Sequence, residues 1–186
     1  MEINLDVPFQ MGPDGFVLVG MGAPYVPGRE WEDYLYSSVW AGRGSGKTTA
    51  GALRHILYAT AWPHSENIIA APDHTRMRRS TFRALEKTLT RCGLFRGEAY
   101  DYNVTNKEIN YHFRRDDGVN VDSVAYLVSL DDPDAGRGID AASVWIDEAG
   151  FTVWEAAQAI IPTLRQEDHP HQFWATSTPV GKYHWG

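Results

Sequence analysis

The chain has 186 residues, 43% of them apolar, and its 24 acidic against 17 basic side chains leave a net charge of −7. That length fits one domain with a full hydrophobic core, and the charge excludes a uniformly basic nucleic-acid binder while leaving room for one local patch. A single cysteine, Cys92, excludes an internal disulfide; no apolar run approaches the ~18 residues that span a bilayer, and no secretion signal opens the chain, so a soluble, intracellular protein without membrane contact is expected.

Residues 1–33 are rich in Pro and Gly around one apolar run, Phe16-Val17-Leu18-Val19. They read as an irregular lead-in packed on the domain. From 34 to 186, strands and helices alternate. A strand over 34–40 enters the segment Ala41-Gly42-Arg43-Gly44-Ser45-Gly46-Lys47-Thr48, and a helix from Lys47 to about Ala61 ends before Pro63. A strand over 67–71 and a helix from about Thr75 to Arg91 follow, the helix stopped by Gly93. Strand-like runs at 102–104, 108–113 and 123–128, with the turn signal Asp117-Gly118 between them, predict an antiparallel insertion around residues 100–128. The alternation resumes with a strand over 142–146, a helix over 152–161 and a strand over 172–176. This order predicts an α/β fold with a mostly parallel central sheet covered by helices on both faces.

A glycine-rich loop between a strand and a helix is built to cradle phosphates. Its backbone N–H groups converge on the anion, Lys47 reaches the β/γ-phosphates and the Thr48 hydroxyl sits on Mg²⁺. The pattern normally opens with Gly, where this chain has Ala41. Asp147-Glu148 follows the apolar Val144-Trp145-Ile146 and so lies at the C-terminal edge of a buried strand, where open α/β sheets bind ligands. In that place Asp147 would hold Mg²⁺, and Glu148 would orient and deprotonate the water that attacks the γ-phosphate. Thr176-Ser177-Thr178-Pro179 ends the last strand, where hydroxyls can bond a γ-phosphate or the attacking water.

Ala41–Thr48, Gly136-Arg137-Gly138, Val144-Trp145-Ile146-Asp147-Glu148-Ala149, Trp154 through Ile161-Pro162-Thr163-Leu164, and Ser177-Thr178-Pro179 occur in one order. That order resembles the ATPase domain of the large terminase subunit of tailed bacteriophages, over roughly residues 34–182. The resemblance implies a RecA-like P-loop NTPase of the ASCE division, the one carrying a catalytic glutamate. It implies ATP and Mg²⁺ as cofactors, and ATP hydrolysis that drives double-stranded DNA into a viral procapsid. Gly42, Arg43, Gly44, Ser45, Gly46, Lys47, Thr48 and Thr49 match its nucleotide-binding loop, and Arg43 matches an arginine that can sense the γ-phosphate. Thr48 and Asp147 match the metal residues, Glu148 the catalytic acid, and Thr176, Ser177 and Thr178 the segment coupling hydrolysis to movement. Arg137 is similar in place to an arginine that reaches a neighbouring subunit's nucleotide; its bland alternative is a solvated turn arginine. Gln10 is the candidate for the family's adenine-contacting glutamine.

The partners implied are double-stranded DNA, the portal protein, the small terminase subunit and further copies of the chain in a ring on the portal, all in the host bacterial cytoplasm. The family usually adds a C-terminal nuclease, and with the sequence ending at Gly186 that domain is expected to be absent. Two rival readings are a helicase-like nucleic-acid-dependent ATPase and a nucleotide-gated assembly module without turnover. Among weaker signals, Arg76, Arg79, Arg83 and Lys87 fall on one helical stripe that could track phosphates or simply be solvated. Asp168, His169 and His171 superficially resemble a metal clamp, and Trp40, Trp145 and Trp174 read as core fillers.

Overall fold

The structure is a computed structural model that describes residues 36–132, 134 and 136–179. The predicted lead-in and Gln10 lie outside these residues. The chain runs β1 (Tyr36–Trp40), α1 (Lys47–Ala61), β2 (Glu66–Ala71) and α2 (His74–Arg76), then a π-helical turn over Met77–Thr81 and α3 (Phe82–Arg91). The insertion comes next as β3 (Tyr100–Asn103), β4 (Glu108–Tyr111), β5 (Phe113–Arg114) and β6 (Asn120–Val121). The remainder is β7 (Val124–Ser129), β8 (Ser143–Asp147), a 3₁₀ turn over Ala149–Phe151, α4 (Trp154–Ile160), a second 3₁₀ turn over Ile161–Thr163 and β9 (Gln172–Ser177).

Seven strands form one sheet in the order β1-β9-β8-β2-β7-β4-β3, and β5 pairs with β6 in a separate hairpin. The five strands from β1 to β7 along that order are parallel, whereas β4 is antiparallel to both β7 and β3. The expected insertion is therefore present. Its last strand, β7, has a double role, because it closes the antiparallel part and also pairs in parallel with β2. Asp117-Gly118 makes the β5–β6 turn, with Gly118 at φ +87°.

The central strands β2, β8 and β9 are buried on both faces, so they read as largely apolar runs and not as alternating ones, whereas β4 at the antiparallel side alternates. Alternate residues of β2 serve two cores. Ile68 and Ala70 pack with Val144, Ile146, Ala157 and Ile160 under α4, while Ile69 and Ala71 pack with Leu53, Ile56, Leu85 and Trp145 under α1 and α3. Because β1, β9 and β8 are parallel and in register, with Trp40 beside Ser177 and Asp147 beside Thr176, their C-terminal ends form one edge. Every candidate phosphate-handling segment leaves the sheet at that edge.

His55 on α1 is fully buried, with Nε2 2.9 Å from the Tyr111 hydroxyl and Nδ1 without a hydrogen-bond partner among the described residues. Burial lowers its pKa to about 3, so the folded chain keeps a neutral imidazole while the unfolded chain takes up a proton near pH 6.5. A depressed folded pKa means stability present above 6.5 and lost as pH falls toward 3. Between pH 7 and pH 5 this residue is expected to remove about 2 kcal/mol. Urea unfolding at the two pH values should show that loss, and His55→Gln should flatten it; an unchanged slope in the variant would assign the pH dependence elsewhere.

Candidate active site

The loop joining β1 to α1 is shaped by its glycines. Gly44 and Gly46 sit at φ +78° and +85°, where a side chain would be strained, and Gly46 hands over directly to Lys47, the first residue of α1. No side chain caps this helix, so its first N–H groups face the loop interior as an anion-binding end. Ala41 departs from the glycine pattern without penalty. Its φ is not positive, and its N–H donates to the Ser177 carbonyl at 3.0 Å, extending the β1–β9 ladder by one bond.

Asp147 ends β8 and is completely buried. Its Oδ1 accepts from the Thr176 hydroxyl at 2.7 Å and the Thr48 hydroxyl at 3.1 Å, and its Oδ2 accepts from the Thr81 hydroxyl at 2.7 Å. Burial pushes the carboxyl above the usual carboxylate range; the Thr176, Thr81 and Thr48 hydroxyls pull it back and the neighbouring Glu148 charge pushes it up. Thr176 is itself aimed by the Trp145 indole, whose Nε1 donates to Oγ1 at 2.9 Å. Trp145 is thus more than the core filler that its composition predicted.

Glu148 comes next, in the left-handed region at φ 53° and ψ 37°. A non-glycine residue held there marks a constrained position. Its Oε1 lies 3.6 Å from Lys47 Nζ, and its Oε2 is buried with no hydrogen-bond partner among the described residues. Gly150 allows the tight turn behind it, because a Cβ there would stand 2.7 Å from Ser177 Oγ, the atom that accepts the Gly150 N–H.

These groups surround an open cleft of about 580 Å³ whose walls include Arg43, Lys47, Thr48, Thr49, Glu148 and Thr178. Ser80, Arg76 and Phe151 also line it, which spacing along the chain does not reveal. The Arg76 guanidinium lies 4.7 Å from the Phe151 ring centroid and pairs with Asp73 at 3.2 Å. Thr176 and Ser177 are buried beneath the cleft, leaving Thr178 as the member of that segment on its surface.

The family model for the phage terminase large subunit matches residues 34–186. The chain belongs to the terminase large subunit family. Among solved structures, the ADP complex of the large terminase from the thermophilic bacteriophage D6E is 18% identical, with a TM-score of 0.66 over 82% of this chain and 35% of that one. The ATP-γ-S complex of the same terminase is also 18% identical, with a TM-score of 0.65 over 82% and 34%. The ATPase domain of the Thermus phage P74-26 large terminase is 24% identical, with a TM-score of 0.61 over 92% of this chain and 71% of that one. The chain spans about a third of the length of the D6E chains. No curated protein matches its sequence. The fold is the RecA-like one of the terminase ATPase domains, with β9 set between the loop strand and the acid strand.

Within this terminase fold, Arg137 lies apart from the cleft. It is 73% exposed and pairs with Asp134 at 2.9 Å, on a loop whose Gly136 packs against Ile160 on the α4 side. The predicted arginine stripe also divides. Arg76 turns toward the cleft, whereas Arg79, Arg83 and Lys87 are exposed to solvent. His169 and His171 are held by the backbone carbonyls of Glu167, Pro63 and Gln166, and no group of three or more His, Cys, Asp or Glu among the described residues could hold a metal unaided. Thr48 and Asp147 fit Mg²⁺ better. They offer a hydroxyl and a carboxylate oxygen 3.1 Å apart, the sparse all-oxygen set of an ion that completes its shell with phosphate and water.

Proposed function

We propose that the chain hydrolyses ATP and that the hydrolysis drives double-stranded DNA into a viral procapsid, with residues 34–186 as the ATPase domain. The observation that carries this reading is the meeting of Thr48 with Asp147, 99 residues apart, beside a Lys47–Glu148 pair on an open cleft. A phosphate-binding loop, a buried metal-type carboxylate and a second acid within reach of the loop lysine are the parts that phosphoryl transfer to water requires. The nucleotide complexes of the D6E terminase support the choice of ligand.

In this reading the loop N–H groups, Lys47 and Arg43 bind the β- and γ-phosphates, and Thr48 with Asp147 holds Mg²⁺. The metal ion, when bound, neutralises charge developing on the phosphate oxygens. Glu148 positions a water and takes its proton as the oxygen bonds to the γ-phosphorus and the bond to the β,γ-bridging oxygen breaks, leaving ADP and phosphate. Thr178 lies at the cleft to register the γ-phosphate. Arg137, exposed and outside the lining of its own cleft, would act on a neighbouring subunit of a ring. The portal protein, the small terminase subunit and the host bacterial cytoplasm complete the setting.

A motor that moves duplex DNA grips phosphates without opening base pairs. Its ATPase should therefore be stimulated more by duplex than by single-stranded DNA, with stimulation falling steeply as salt rises. Arg79→Glu and Arg83→Glu should weaken the stimulation and flatten its salt dependence. Phosphate release measured with each DNA, alongside a strand-displacement assay, tests the reading. ATP-dependent unwinding with stronger stimulation by single strands would replace it with a helicase.

A further inference from the structure

The helix that leaves the C-terminal end of β2 is not uniform. Asp73 caps it by accepting the Arg76 N–H at 2.8 Å, and α2 then widens into the π-helical turn, closed by the Phe82 N–H bonding to the Met77 carbonyl five residues back. A π turn inserts one extra residue and so rotates the downstream helix about its axis relative to the upstream one. Arg76, just before this turn, and Ser80 within it line the cleft, while Thr81, fully buried, reaches Asp147 Oδ2 at 2.7 Å. Among the described residues no other hydrogen bond reaches Oδ2, whereas Oδ1 takes both Thr48 and Thr176.

We infer that Thr81 is a positioning residue, whose hydroxyl locks the Asp147 carboxylate so that Oδ1 is the oxygen presented beside Thr48 to a magnesium–nucleotide complex. The inference rests on the reading of the cleft as a nucleotide site. A carboxylate can turn about its Cβ–Cγ bond, and in a buried site an oxygen stripped of its donor costs free energy. Thr81 removes both freedoms from outside the phosphate loop and outside the acid strand. It also ties the π turn, and with it the Arg76 and Ser80 wall, to the metal position.

The test is ATP-γ-S binding by calorimetry to the whole chain, with Mg²⁺ and with EDTA, for the parent, Thr81→Val and Thr81→Ser. The parent should bind more tightly with Mg²⁺. Thr81→Val keeps the shape and deletes the donor, and should lose on the order of tenfold of that magnesium-dependent gain. Its affinity in EDTA should stay at the parent's value, since Thr81 does not line the phosphate loop, and Thr81→Ser should behave as the parent. Thermal melts accompany each variant, and if Thr81→Val does not fold, Thr81→Ala answers the same question. Full magnesium gain in the hydroxyl-free variant, or equal loss in both arms, would overturn the inference. A parent that shows no magnesium-dependent binding would instead overturn the nucleotide reading beneath it.

Discussion

Glu148→Gln is expected to bind Mg·ATP and to lose hydrolysis by on the order of a hundredfold or more, the scale of losing a general base. The side chain keeps its length and its place 3.6 Å from Lys47, but an amide cannot take a proton from water. Lys47→Ala should behave differently. It removes the cation at the first turn of α1 and leaves Glu148 without its counter-charge, so nucleotide binding itself should be lost. Calorimetry and phosphate release on both variants separate the two effects, one in chemistry and one in affinity. Turnover at the parent's rate in Glu148→Gln would take Glu148 out of the mechanism.

Gly51→Val is expected to destabilise the fold by about 3 kcal/mol or more, because it overpacks a filled core. A Cβ at Gly51 would stand 2.6 Å from Trp145 Cε2 and Nε1, and Trp145 is fully buried. The ring cannot retreat without cost, since its Nε1 donates to Thr176, which in turn donates to Asp147. Gly51→Ala should cost less, as the smaller clash is partly offset by alanine's helix preference of ~1 kcal/mol. Thermal melts should rank parent, Ala and Val in that order. A valine variant melting with the parent would mean that Trp145 can swing aside, breaking the chain of contacts to Asp147.

How much of this site could be read from the sequence depends on how local each feature is. The phosphate loop was legible because Gly44, Gly46 and Lys47 act within one strand–turn–helix unit, and α1 runs over the residues predicted. The acid pair was legible because an apolar run leading into two carboxylates places them at a strand end, and β8 ends at Asp147. The positive φ of Glu148 has no signal in residue type, since Glu carries none of the turn preference of Gly or Asn. Thr81 escapes sequence reasoning for a stronger reason. It lies 66 residues from Asp147 in sequence, and although helical spacing puts it on the buried face with Met77, Leu85 and Leu89, a threonine there reads as core until the fold brings it to the carboxylate. Spacing likewise put Arg76 on an exposed face without showing that this face borders the cleft.

The amino-acid sequence by itself determined the elements whose geometry is set within a few residues: the loop and its helix, the buried strands, the hairpin turn at Asp117-Gly118, and the family to which their order belongs. Only the tertiary structure decided that β9 enters between β1 and β8, that β7 joins the parallel sheet, and that hydroxyls from three separate elements converge on Asp147. The physical reason is the range of the interactions. Backbone preference and hydrophobic period act along the chain, whereas strand order and the partners of a buried carboxylate are set by how two cores pack against opposite faces of one sheet.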